Sequence, residues 1–141
     1  MKSIVILLVE DNEGDILLTT EALASCKIAN TLRVVNDGQE AIDFVYKKGN
    51  YRNEISPDLI LLDVNLPKKN GHEVLHKIKT DSNFKHIPII MLTTSSSSLD
   101  VKKAYSNYVN CYITKPVEPY DFMKAVSEIE NFWINVVELP Q

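Results

Sequence analysis

The chain has little cysteine, no surplus of positive charge and no long apolar run. Its 141 residues include two cysteines, Cys26 and Cys111, in no CxxC spacing and beside no histidine cluster. That argues against a zinc site or a disulfide framework. Lys and Arg number 15 against 19 Asp and Glu, a formal charge of −4. No basic excess exists to displace counterions from nucleic-acid phosphate, so DNA and RNA are not expected partners. The longest pure apolar run, Ile4 to Val9, is far below the ~20 residues of a membrane span. Glu10 and Asp11 follow it at once, unlike the small-residue cleavage site of a signal peptide. A cytoplasmic protein that binds no membrane is the expectation. The three histidines, His72, His76 and His86, stand in no recognisable spacing from a nucleophile. His72 and His76 are four apart beside Lys77 and Lys79, and read as solvated rather than as metal ligands.

What is present is ordinary globular composition, 45% hydrophobic and 24% charged. At about 100–200 residues per domain, residues 1–141 form one domain, with a core over 3–130 and a tail over 131–141. Two apolar patterns alternate. Short continuous runs, such as Ile4–Val9, Leu59–Leu62 and Ile87–Leu92, read as strands buried on both faces. Stripes at helical spacing follow each strand: Ile16, Thr20, Leu23 and Ala24; Ala41, Ile42, Val45 and Tyr46; Val74, Leu75 and Ile78. Val101, Ala104, Tyr105 and Tyr108 form a fourth, and Phe122, Val126, Ile129, Trp133 and Val136 a fifth. Strands are expected near 3–9, 31–36, 58–63, 87–93 and 110–114. Helices are expected near 13–27, 38–48, 71–81, 97–107 and 118–136. Five strand–helix repeats predict an α/β fold, a doubly wound parallel sheet with helices on both faces.

In such sheets ligands bind outside the carboxyl ends of the strands. Strand 1 delivers Glu10 and Asp11 there, strand 3 Asp63, strand 4 Thr93 and Thr94, strand 5 Lys115 and Pro116. Taken singly, these have bland explanations, and Asp11 or Asn12 would cap the first helix. Taken together they do not. Two unit charges 4 Å apart cost ~4 kcal/mol at an effective dielectric near 20. Three gathered carboxylates must protonate, splay into water or be neutralised by a cation. All-oxygen ligation suits Mg²⁺.

The segments LLVEDN (7–12), LLDVNLPKKNG (61–71), MLTT (91–94) and YITKP (112–116) resemble the signature of the response-regulator receiver domain of two-component systems. The resemblance spans about residues 3–130 and implies a flavodoxin-like, five-stranded sheet in the order 2-1-3-4-5. It implies that Asp63 accepts a phosphoryl group from a histidine kinase or a histidine phosphotransfer protein. It implies Mg²⁺ held by Glu10, Asp11, Asp63 and the backbone carbonyl of Asn65. Lys115 would approach the phosphoryl oxygens and Thr93 would hydrogen-bond them, with Thr94 as a bulkier neighbour. Tyr112 would change rotamer in step with Thr93, altering the surface of helix 4, strand 5 and helix 5. The Lys115–Pro116 peptide would be cis. Glu10 stands where the family more often has Asp.

The ending IENFWINVVELPQ (129–141), the segment NCYITKP and the long connection before strand 3 resemble the phytochrome-associated response regulators. That implies a phytochrome-type sensor kinase as partner and a homodimer, with Phe132 or Trp133 contributing an apolar patch. No output domain is expected after the last helix, so the signal would leave by protein contact. A haloacid-dehalogenase-type phosphohydrolase would need a second Asp where Asn65 stands. A flavin-binding module would need a phosphate loop where Glu10 and Asp11 stand.

Overall fold

The computed structural model describes residues 3–26, 29–94 and 98–127. Its elements alternate as the apolar patterns require. The strands are β1 (Ile4–Val9), β2 (Asn30–Val35), β3 (Leu59–Asp63), β4 (Ile89–Thr93) and β5 (Cys111–Thr114). The helices are α1 (Glu13–Ala24), α2 (Gly38–Tyr46), α3 (Gly71–Lys79), α4 (Ser98–Ser106) and α5 (Pro119–Ser127). All neighbouring strands are parallel, and the order is β2-β1-β3-β4-β5. The doubly wound fold expected above is the fold found.

Period-two alternation sorts the strand side chains between two cores. Ile4, Ile6 and Leu8, with Leu59, Leu61, Ile90 and Leu92, meet Leu23 of α1 and Phe122 and Val126 of α5. Leu7 and Val9, with Ile60, Leu62, Ile89 and Met91, meet Ile42 and Val45 of α2, Val74, Leu75 and Ile78 of α3, and Ala104 of α4. Every residue of β3 and β4 is buried. Each such Leu or Ile contributes roughly 1.5–3 kcal/mol. The central strand is therefore rigidly held, and its last residue is Asp63. β2 is an edge strand with Val34 exposed, so its sequence NTLRVV mixes polar and apolar residues.

Local chemistry sets the boundaries. Asn12, Asp37 and Asn70 cap α1, α2 and α3, and Asn70 forms a capping box with Glu73. β4 begins two residues later than expected, because Pro88 has no N–H and Asn110 Oδ1 accepts from the Ile89 N–H at 2.8 Å. The polar connection after α2 contains a 3₁₀ turn over Gly49–Tyr51. It is anchored by the Tyr51 hydroxyl, which donates to Glu40 Oε1 at 3.1 Å.

Three expectations need correction. The buried stripe of α1 is Thr19, Ala22 and Leu23, with Ile16 packed beside it, while Thr20 and Ala24 are exposed. Apolar residues encircle this helix, so spacing alone misjudges its phase by one position, and Leu17 and Leu18 face outward. Tyr105 and Tyr108 of the α4 stripe are also exposed; Ala104 joins the core, and Val101 is half-buried. His72 is buried rather than solvated. Its Nε2 lies 3.4 Å from Asp100 Oδ1 without a hydrogen bond, and burial pushes the imidazole pKa down. The part of the fifth helix expected beyond Ser127, and with it Phe132 and Trp133, lies outside the described residues.

Candidate functional site

Glu10 follows β1 and is buried, because β1 pairs on both sides and carries it between β2 and β3. Its Oε2 accepts from the backbone N–H groups of Asp11 (3.1 Å) and Asn12 (3.3 Å). Its other oxygen, Oε1, accepts from Lys115 Nζ. Asp11 is exposed on the rim. Asp63 ends β3 and is buried. Ligand oxygens of Glu10, Asp11 and Asp63 all lie within 4.8 Å of one another, the one such acidic group among the described residues.

Lys115 reaches the same point from beyond β5. Its backbone N–H donates to Thr93 O at 2.6 Å, which aims the side chain over the carboxyl ends of the strands. The ammonium lies 3.2 Å from Asp63 Oδ1 and 3.0 Å from Asp15 Oδ2. The Lys115–Pro116 peptide is cis, and Pro116 is exposed. Asp15 was not anticipated. It sits in the first turn of α1, and its only sequence signal is a position four residues after Asp11.

The carboxyl of Asp63 is pushed up to about 7, first by burial and then by the charge of Glu10, against the opposing pull of Lys115. Burial disfavours the Lys115 ammonium, but hydrogen bonds to Glu10 and Asp15 and the charge of Asp63 outweigh it and raise its pKa. Three carboxylates, Glu10, Asp15 and Asp63, thus share one ammonium, and Asp11 adds a further negative charge to the cluster. The surplus negative charge and the all-oxygen donor set fit a hard divalent cation. Asn65 is exposed in the turn two residues past Asp63. Thr93 ends β4 and is buried, and Thr94 is exposed. Tyr112 is half-buried in β5, the strand paired with β4, and burial raises its pKa.

Two glycines hold the turn that carries Asn65. The Gly38 N–H donates to Pro67 O at 3.3 Å, and a Cβ on Gly38 would stand 1.8 Å from Lys69 O. The Gly71 N–H donates to Val64 O at 2.9 Å, and a Cβ there would stand 2.3 Å from Asp63 O. Only residues without side chains permit this approach. The turn is thereby pinned between α2 and α3, and Lys68 within it takes a positive φ of 65°.

A parallel sheet whose central strand ends in a buried aspartate, ringed by acids and a lysine, defines a phosphoacceptor-type signalling domain. Residues 6–127 match the family described as "Response regulator receiver domain", and the chain belongs to it. It is 46% identical over 136 residues to the response regulator Rcp1 of Synechocystis sp., covering 96% of this chain and 92% of Rcp1. The crystal structure of Mn²⁺-bound Rcp1 superposes with a TM-score of 0.78, covering 98% of this chain and 99% of that one. The phosphorylated cyanobacterial phytochrome response regulator RcpA is 45% identical with a TM-score of 0.79, over 99% of both chains. The bacteriophytochrome response regulator AtBRR is 41% identical with a TM-score of 0.85, over 94% of this chain and 96% of that one.

Proposed function

We propose that Asp63 accepts a phosphoryl group from a phosphohistidine of a sensor kinase or phosphotransfer protein, and that a divalent cation, Mg²⁺ in the cell, is required. The observation that carries this reading is the buried Asp63 carboxylate sharing one 4.8 Å cluster with Glu10 and Asp11 while Lys115 stands 3.2 Å away. In the reaction an Asp63 carboxylate oxygen attacks phosphorus as the phosphorus–nitrogen bond breaks. The electron pair returns to the imidazole, which takes up a proton from solvent. Such transfers need in-line positioning and charge neutralisation rather than elaborate acid–base chemistry. Glu10, Asp11, Asp63 and the Asn65 carbonyl would hold the ion. When bound, it would supply positive charge for the incoming oxygens. Lys115 supplies further positive charge beside Asp63.

Phosphorylation adds charge and acceptor oxygens at one point. Thr93 ends β4, the strand that pairs with β5 and its Tyr112. A Thr93 hydroxyl drawn to the phosphoryl group would vacate its place beside β5, and the change would be read out on α4, β5 and α5. The similarity to RcpA, a phytochrome response regulator, and to AtBRR, a bacteriophytochrome response regulator, supports a phytochrome-type histidine kinase as the phosphodonor.

The test is incubation with acetyl phosphate and Mg²⁺, followed by intact-mass and peptide analysis. One phosphoryl adduct on Asp63, absent with EDTA and absent in Asp63→Asn, is expected; an adduct on another residue, or none, refutes the reading. The exposed Leu99, Tyr105, Tyr108 and Tyr120 on α4, α5 and their approaches support a homodimer through that face. Light scattering with beryllofluoride should give twice the chain mass, and a monomer mass under those conditions removes this part.

A further inference from the structure

Asp15 has a definable task at this site. The Lys115 ammonium, with its three N–H donors, donates hydrogen bonds to Glu10 and Asp15 and stands in an ion pair 3.2 Å from Asp63 Oδ1. A phosphoryl oxygen that draws the ammonium toward itself therefore competes with the partners already present. Glu10 cannot leave easily, since its side chain is 1% exposed and its second oxygen is held by two backbone N–H groups. Asp63 carries the phosphoryl group itself. The side chain of Asp15 is 29% exposed, against 6% for Asp63, so it can return to water at the lowest desolvation cost. Its backbone stays fixed meanwhile, because the Asp15 N–H donates to the helix cap Asn12 Oδ1 at 2.9 Å.

We infer that Asp15 is a positioning residue that holds the Lys115 ammonium in the unphosphorylated protein and competes with the phosphoryl group for it. The acid in the first turn of α1 then sets how tightly the site takes up and retains a phosphoryl group. This rests on the phosphoacceptor reading of Asp63. The competition acts through one ion pair rather than through general charge, and that distinction makes it testable. Glu13 lies on the same turn, carries the same charge and is exposed.

The experiment titrates beryllofluoride into the full chain with saturating Mg²⁺ and follows the bound ¹⁹F resonance. Asp15→Asn should bind about two- to fivefold more tightly than wild type, the range a partly exposed ion pair commands. Glu13→Gln should match wild type. In a Lys115→Met background, adding Asp15→Asn should change nothing further, because the ion pair is already gone. Equal or weaker binding by Asp15→Asn overturns the inference, as does the same tightening in Glu13→Gln or in the Lys115→Met background. A wild type that binds no beryllofluoride overturns the phosphoacceptor reading as well; binding in wild type with no response to Asp15→Asn overturns the inference alone.

Discussion

Asp63→Asn should make the cation-free protein more stable than wild type at pH 8, by roughly 1–3 kcal/mol, and less stable than wild type once a divalent cation is added. The Asp63 carboxyl is pushed up to about 7, from an ordinary 3.8, mainly by burial and then by Glu10. The folded state therefore binds the Asp63 proton more tightly than the unfolded chain does. Below about pH 4 both states are protonated and the residue is neutral in its effect. Between about pH 4 and pH 7 the unfolded chain releases its proton first, so stability falls as pH rises. Above about pH 7 the penalty is complete. Three pKa units set a ceiling of about 4 kcal/mol, and the asparagine forfeits the ion pair with Lys115, so the net gain is smaller. A divalent cation binds the wild-type site and stabilises it by mass action, which inverts the order. Urea denaturation of both proteins at pH 5 and pH 8, with EDTA and with Mg²⁺, measures all of this. A wild type as stable as Asp63→Asn at pH 8 in EDTA would show that the cluster carries no such penalty.

The same electrostatics explain what could be read from the chain alone. Strands β1, β3 and β4 were legible because burial on both faces leaves room only for continuous apolar runs, as in Leu59–Leu62. The rim residues were legible because each follows such a run directly, so the end of a strand fixes the place of Glu10, Asp63, Thr93 and Lys115. The phase of α1 was not legible, since Ile16, Leu17, Leu18, Ala22, Leu23 and Ala24 supply apolar atoms all round and only the packed sheet chooses among them. Asp15 was missed for a related reason. An acidic residue in a first helical turn already has a local explanation in the helix dipole, and its partner Lys115 is 100 residues away. The burial of His72 escaped because exposed His76 and Lys77 describe the outer side of α3, whereas His72 shares the inner side with Val74, Leu75 and Ile78. In each case the missing information was a long-range contact.

Lys115→Met should cost the cation-free protein roughly 2–4 kcal/mol at pH 8, with a smaller loss at pH 5 and most of the loss recovered in Mg²⁺. Methionine keeps the unbranched stem and fills most of the volume, so the change is chiefly one of charge. It removes the ammonium from Glu10, Asp15 and Asp63 together. Asp15 relaxes into water, but Glu10 and Asp63 remain buried beside one another. Breaking a buried pair by deleting one partner costs ~3–5 kcal/mol when the remaining charge has no escape. Here proton uptake offers an escape, which is why the loss shrinks at lower pH: without Lys115 no ammonium lowers the Asp63 pKa, leaving burial and Glu10 to raise it further. A divalent cation offers the other escape by replacing the lost positive charge among the same oxygens. Denaturation midpoints of wild type and Lys115→Met at both pH values, with EDTA and with Mg²⁺, separate these terms. Equal midpoints in EDTA at pH 8 would mean that the lysine is no counter-ion to the cluster. A full loss that Mg²⁺ leaves untouched would mean that its stem, rather than its charge, is what the site depends on.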